Sequence, residues 1–218
     1  PSSNGVAADT VVGQGNFTTG CANGNCPTAT RFWISAGIVS TGSNLFLTDY
    51  SNNRAVFFNA IPTADDPSAT YAVGADDLVS AGGSVGQDAI TKPYGVVVCG
   101  SALWLTDETN HRVLKFNYPI TQNRPLATLV LGQADFSGSS ANRGGAVAAN
   151  TLQAPDGVAC YGTKLLIADS LNHRVLIWQN LPTANGQAAD NVIGQANMTS
   201  SAANRGGSAA DNTFNTPY

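Results

Sequence analysis

The chain has 218 residues, of which 43% are hydrophobic and only 11% are charged, and its formal net charge is −4. A lysine-poor, acidic chain lacks the clustered positive charge that phosphate backbones and anionic lipids attract, so composition argues against binding to nucleic acid or to a membrane surface. No apolar run approaches the roughly 20 residues that cross a bilayer. The first ten residues have neither the basic nor the apolar part of a secretory signal, so we expect a cytosolic chain or one whose signal has been removed.

The leading part of the chain, residues 1–34, is predicted to hold one outer strand and one disulfide loop. The strand is the run VVGQ that begins at Val11. Cys21 and Cys26 bracket the loop CANGNC, whose central Asn-Gly favours a tight turn and a local disulfide bond. A disulfide in a surface loop indicates an oxidising compartment, so we expect the protein to be extracellular or at the cell surface. Two cysteines supply only half of a zinc site, and we expect no metal here.

Beyond residue 34 the chain repeats itself three times. The segments LFLTDYSNNRAVFF, LWLTDETNHRVLKF and LLIADSLNHRVLIW align without a gap, and their aspartates lie 58 and then 62 positions apart. A short apolar run with a glycine at its third position, similar to the run at Val11, follows each segment. The candidate site residues are the aspartate and arginine of each unit: Asp49, Arg54, Asp107, Arg112, Asp169 and Arg174.

Each unit predicts four short antiparallel strands. Its runs of Val, Leu, Ile, Phe and Trp are bounded by Gly, Pro, Asn and Asp, and apolar residues nowhere recur at helical spacing over a long stretch. Sheets that repeat at a fixed period, and that cannot bury both faces alone, pack radially as the blades of a β-propeller. We therefore predict an all-β chain with blades at residues 35–92, 93–154 and 155–216, and with residues 217–218 beginning a further repeat.

The strings TDETNHRVLKF and ADSLNHRVLIW, each preceded by a Pro-x-Gly-Val strand, resemble the NHL repeat. The first unit departs from that pattern, with Asn53 in place of the histidine and Ser35 and Ala36 in place of the proline and its neighbour. The run VLGQADF is similar to a variety of blade found in long bacterial NHL-repeat proteins. The resemblance implies a β-propeller, usually of six blades.

The polar residues that recur in every unit are interpreted as structural. An aspartate in a hairpin turn accepts backbone N–H bonds and pairs with an arginine, and a catalytic residue is rarely needed once per blade. The alternative is a metal or acid–base role for His111 and His173, as a resemblance to amidating lyases and lactonases of related propeller folds suggests. Such a site needs several converging ligands, and the chain has no third histidine and only one glutamate. We therefore expect no catalytic site and no cofactor.

Cys99 and Cys160 are predicted to end the first strands of adjacent blades. We prefer to interpret them as small core residues, ahead of a disulfide between blades or reactive thiols.

Three blades cannot close a ring, and the apolar faces left open at both ends require a protein partner. Three arrangements meet this requirement. The chain is part of a longer repeat polypeptide, or it closes as a two-fold dimer, or its spare strand completes a blade in a neighbouring molecule. We expect a non-catalytic, self-assembling or interaction module; the alternatives are an extracellular metal-dependent lyase or hydrolase and a carbohydrate- or peptide-binding propeller.

Overall fold

The computed structural model describes residues 6–18 and 28–218. In this part of the chain there are twelve strands and four single turns of 3₁₀ helix, at Tyr50–Asn52, Ala141–Gly144, Ser170–Asn172 and Ala203–Gly206. The strands are β1 (Ser35–Ser40), β2 (Leu45–Asp49), β3 (Arg54–Phe58), β4 (Tyr71–Val73), β5 (Val96–Cys99), β6 (Ala102–Asp107), β7 (Arg112–Asn117), β8 (Leu129–Leu131), β9 (Pro155–Tyr161), β10 (Lys164–Asp169), β11 (Arg174–Trp178) and β12 (Asn191–Ile193). None of the helical turns in the described residues is long and apolar enough to span a membrane.

The twelve strands form three four-stranded antiparallel sheets, and in each sheet neighbouring strands follow chain order. The prediction of four antiparallel strands in each of three units is therefore confirmed. The central hairpin of each sheet turns through a residue with left-handed backbone: φ is 53° at Asn53, 54° at His111 and 53° at His173. Asparagine and histidine are among the side chains that enter this region most readily, which explains why either one occupies the turn.

The hydrophobic core lies between the sheets. Every residue of β2 and of β6 is buried, because each of these strands is covered on both faces of its sheet. Phe46 and Phe57 of the first sheet pack with Leu103 and Leu114 of the second, and Trp104 joins the next cluster, between the second and third sheets. The first strands of the sheets, β1, β5 and β9, lie side by side. The sheets thus stack as propeller blades around their first strands, as predicted.

The leading segment differs from its prediction, because residues 11–14 form no strand. The backbone N–H of Val11 instead donates to Oδ1 of Asp65 at 2.8 Å, and the N–H of Asp66 donates to the carbonyl of Val11 at 3.3 Å. Phe32, further along the same segment, packs edge-on against Phe58 at 6.2 Å between ring centroids. The segment covers the outer face of the first blade, and within residues 6–18 and 28–218 no strand lies on its other side for it to pair with.

Two links join neighbouring blades at the end opposite the Asp and Arg residues. Cys99 and Cys160 form a disulfide with 6.3 Å between their Cα atoms. Our preference for small core cysteines was wrong, because β5 and β9 run side by side and bring the two sulfur atoms together. The hydroxyl of Tyr118 donates to Oδ1 of Asn44 at 2.6 Å and so ties the second blade to the first. The predicted bond between the cysteines of the CANGNC loop, Cys21 and Cys26, lies outside the described residues.

Candidate functional site

The aspartate and arginine of each unit lie opposite each other at the mouth of the central hairpin and form an ion pair. The Nε–Oδ2 distances are 2.9 Å for Arg54–Asp49, 2.8 Å for Arg112–Asp107 and 2.7 Å for Arg174–Asp169. All six side chains are fully buried. A buried ion pair is tolerated when the remaining polar atoms of both partners are also hydrogen-bonded.

Each carboxylate has two further kinds of donor. One is the asparagine two positions before the arginine; Nδ2 of Asn110, for example, donates to both oxygens of Asp107 at 3.0 and 3.1 Å. The other is a backbone N–H of the segment that enters the blade, as where Thr91 donates to Asp107 at 3.0 Å. The equivalent bonds from Trp33 to Asp49 and from Gln153 to Asp169 measure 2.8 and 2.7 Å. Sequence reasoning missed the asparagine, although it recurs as regularly as the arginine.

The outer nitrogens of each arginine bind the connecting segments between blades. Nη1 of Arg112 donates to the carbonyl of Phe136, in the segment that leaves the second blade, at 2.6 Å. Nη2 of Arg112 donates to the carbonyls of Gly86 and Ala89, in the segment that enters the blade, at 2.9 Å each. The other two arginines make the same bonds to the segments on either side of their own blades. One buried side chain per blade therefore holds both connecting segments in place.

The charge state of these carboxyl groups depends on their arginines. Burial raises the pKa of Asp107 and of Asp169 above the ordinary value, while the positive charges of Arg112 and Arg174 oppose that rise. Removal of the arginine would therefore take away a positive charge that favours the ionised form of Asp107 or Asp169.

Each histidine accepts a hydrogen bond from the backbone. Nδ1 of His111 accepts a hydrogen bond from the N–H of Ala154 at 3.0 Å, across the junction with the next blade. Nδ1 of His173 accepts the equivalent bond from Thr216, also at 3.0 Å. At the first junction Oδ1 of Asn53 accepts it from the N–H of Lys92, again at 3.0 Å. The departure of the first unit from the Asn-His-Arg pattern thus preserves the hydrogen bond.

A second group of polar side chains lies beside these junctions, near the start of the first strands. We call it the tyrosine–carboxylate cluster; its members are Tyr50, Lys92, Tyr94, Glu108 and Asp156. The rings of Tyr50 and Tyr94 meet edge to face with 6.1 Å between centroids, and Nζ of Lys92 lies 5.5 Å from the centroid of the Tyr50 ring. The cluster was not predicted, because equivalent positions of the repeat carry different residue types. The signal that could have found it is the change of residue type at the position after each motif aspartate and after the proline that begins each of the last two units.

The electrostatics of the cluster favour the neutral forms of the Tyr50 phenol and of the Asp156 carboxyl group. Burial, together with a hydrogen bond to Glu108 and the negative charges of Glu108 and Asp156, raises the pKa of Tyr50 to about 12. Burial and the charge of Glu108 also raise the pKa of Asp156. A hydrogen-bonding or cationic ligand group would relieve the repulsion between these carboxylates. Within residues 6–18 and 28–218, no three His, Cys, Asp or Glu side chains come together in the manner of a metal site.

No protein-family model matches the chain, and no curated protein matches it. Among solved structures, the chain is similar to Kuenenia stuttgartiensis hydrazine synthase, with 14% identity and a TM-score of 0.43 over 66% of this chain and 32% of that one. It is similar to virginiamycin B lyase from Staphylococcus aureus, with 12% identity and a TM-score of 0.41 over 78% of this chain and 44% of that one. The chain is also similar to Myxococcus xanthus glutaminyl cyclase, with 10% identity and a TM-score of 0.39 over 70% of this chain and 51% of that one. The chain spans about a third to a half of these proteins, and likenesses this distant assign no activity to it.

Proposed function

We propose that the chain is a non-catalytic extracellular module of NHL-like propeller blades, which acts in assembly or in protein interaction. The observation that carries this proposal is the set of hydrogen-bond partners of the recurring polar residues. Each Asp, Asn and Arg of the motif binds another motif residue or the backbone of a connecting segment, and each histidine accepts a bond from the backbone of the segment that follows its blade. These bonds hold the connecting segments in place, and the Asp and Arg side chains are fully buried. The Cys99–Cys160 disulfide is compatible with an oxidising compartment.

The metal content of the purified chain separates this proposal from a metal-dependent lyase or hydrolase. Elemental analysis of the purified chain, dialysed without chelator, is expected to give far less than one equivalent of calcium or zinc. One bound metal per chain, retained through dialysis and lost on His111→Asn, would overturn the structural assignment of the histidines. His111→Asn is a sharp test because Asn53 already makes the same backbone bond at the first junction.

The tyrosine–carboxylate cluster favours ligand binding as a second candidate function. It combines two aromatic rings with two carboxyl groups whose mutual repulsion a basic or hydroxyl-rich ligand would relieve. Basic peptides and neutral oligosaccharides can be screened by melting temperature, because a ligand that binds the native state must raise it. A rise that Glu108→Gln removes and that Tyr161→Phe leaves intact would support the candidate, since Tyr161 is 82% exposed and lies outside the cluster. No rise with either ligand class would count against it.

A further inference from the structure

The third blade has an apolar face that no part of the described chain covers. Its members alternate along three strands and point away from the second blade; they are Leu166, Val175, Ile177 and Ile193. The first three are half-buried and Ile193 is 45% exposed. At the equivalent positions of the second blade, Trp104, Val113 and Leu131 are fully buried against the third blade. We call the uncovered surface the open face.

The outer strand beside the open face also lacks a neighbour that the other outer strands have. In the second blade, the N–H of Val130 donates to Oδ1 of Asn185 at 3.1 Å, and the N–H of Gly186 donates to the carbonyl of Val130 at 2.8 Å. Asn185 and Gly186 belong to the loop before the outer strand of the next blade. The same pair of bonds joins Ala72 of the first blade to the second. Within the described residues, no such loop lies against Val192, the equivalent residue of β12.

The first blade has the equivalent loop, just before its outer strand, and this loop already binds a segment of the same chain. Asp65 and Asp66 bind the N–H and carbonyl of Val11, as described above. Gly13 and Gly194 both have φ +91°. The ring of Phe32 packs against Gly13, and the ring of Phe214 packs against Gly194 in the same way. Residues 11–18 and 28–34 therefore sit on the first blade as the outer strand and connecting segment of a preceding blade would. Residues 192–218 are the equivalent segment at the far end of the chain.

We propose that a second copy of this chain covers the open face with its first blade. Residues 192–199 and 210–216 of one copy take the place that residues 11–18 and 28–34 hold on the other. The inference rests on the proposed interaction function and names its partner. The blade-to-blade interface that it requires already exists twice within the chain, between the first and second blades and between the second and third.

The exchange conserves the hydrogen bonds of the segment that is replaced. Val192 replaces Val11 against Asp65 and Asp66, and Phe214 replaces Phe32 against the first blade. What association gains is the burial of the open face against the apolar face of the first blade, whose members are Leu45, Leu47, Val56 and Phe58. Burial of apolar surface is the main favourable term in such association. The contact is head-to-tail, so it produces a closed ring or an open filament according to the rotation at each step.

Sedimentation of the full chain over a wide concentration range tests the inference. We expect species whose mass is a multiple of the 22.4 kDa chain. Ile177→Asp should weaken association by at least about tenfold, because it would bury a charge without a partner in the interface. Leu126→Asp is the matched control, since Leu126 is an apolar residue 59% exposed outside the open face. Circular dichroism of both variants checks that they fold.

Asp65→Ala tests the geometry. It removes the side-chain acceptor that the proposal assigns to the N–H of Val192 from another copy, so association should weaken, and hydrogen exchange at the Val192 amide should be slowed in the assembled parent but not in this variant. A chain that stays monomeric, a dimer that Ile177→Asp does not weaken, or a dimer in which the Val192 amide exchanges as fast as in the monomer would each overturn the inference. A monomeric chain that binds no metal would leave the proposed non-catalytic function standing, so the two failures can be told apart.

Discussion

Replacement of Asp107 by alanine tests whether the buried Asp–Arg pair stabilises the fold. The substitution removes an acceptor that binds Arg112, Asn110 and the backbone of Thr91 at distances of 2.8 to 3.1 Å. It leaves the guanidinium of Arg112 buried with backbone carbonyls as its remaining partners. Breaking a buried pair in this way costs about 3–5 kcal/mol. We therefore expect Asp107→Ala to lower the free energy of unfolding by that amount.

Urea unfolding followed by tryptophan fluorescence provides the assay. The control is Asp76→Ala, which breaks an ion pair with Arg124 in which the aspartate side chain is 71% exposed. Exposed pairs contribute about 0–1 kcal/mol, so this variant should unfold close to the parent. Asp107→Asn keeps one acceptor oxygen but loses the charge and the second acceptor, so its loss of stability should fall between the other two. If Asp107→Ala costs no more than Asp76→Ala, the stabilising role assigned to the buried pairs is refuted.

Three further variants extend the test to the junctions between blades. Burial lowers the pKa of His111 below its ordinary value of about 6.5, so the unfolded chain binds the proton first and stability should decline as pH falls through about 6.5. His111→Asn should flatten this part of the stability–pH curve, and an unchanged slope would contradict the assignment. Reduction of Cys99–Cys160, which spans 61 positions, should cost up to about 4 kcal/mol by the chain-entropy relation, seen as a lower melting temperature in dithiothreitol. An unchanged melting temperature after confirmed reduction would argue against a stabilising role for that bond. Gly132→Ala should destabilise by more than about 1 kcal/mol, because φ is +85° and a Cβ would lie 2.8 Å from a backbone oxygen. Gly100→Ala shares the positive φ but meets open space, so equal losses of stability would show that crowding is unimportant.

The strands and the Asp–Arg pairs could be predicted because both follow from order along the chain. Short apolar runs between Gly, Pro, Asn and Asp give strands at a fixed period, and Asp107 and Arg112 are close in sequence across one hairpin. The partner of His111 could not be found in the same way. Ala154 lies 43 positions further on, and the contact arises only when two blades stack. The bonds from arginine to connecting segments depend on stacking for the same reason.

The tyrosine–carboxylate cluster escaped prediction for a different physical reason. Repeat analysis weighs positions where the same residue type returns, whereas the cluster occupies positions where it changes. Tyr50 and Glu108 both directly follow the aspartate of their units, and Tyr94 and Asp156 both directly follow a proline. A conserved scaffold brings these variable positions together near the first strands, where their side chains can differ without affecting the blades.

The carbonyls held by the buried arginines also fix where the chain can change in length. In all three blades the anchored carbonyls lie 24 positions after the arginine, and 26 and 23 positions before it. Between anchors, Leu78 and Gly86 are 8 positions apart and Phe136 and Ala148 are 12 apart, which accounts for the whole difference between the periods of 58 and 62. Insertion has thus been confined to the stretch between the carbonyls that the three motif arginines anchor. Within this stretch Asn142 binds Asn172 and Arg143 binds the carbonyl of Gly186, so both must be kept. The exposed residues 144–146 are accordingly the place to graft a foreign peptide for display.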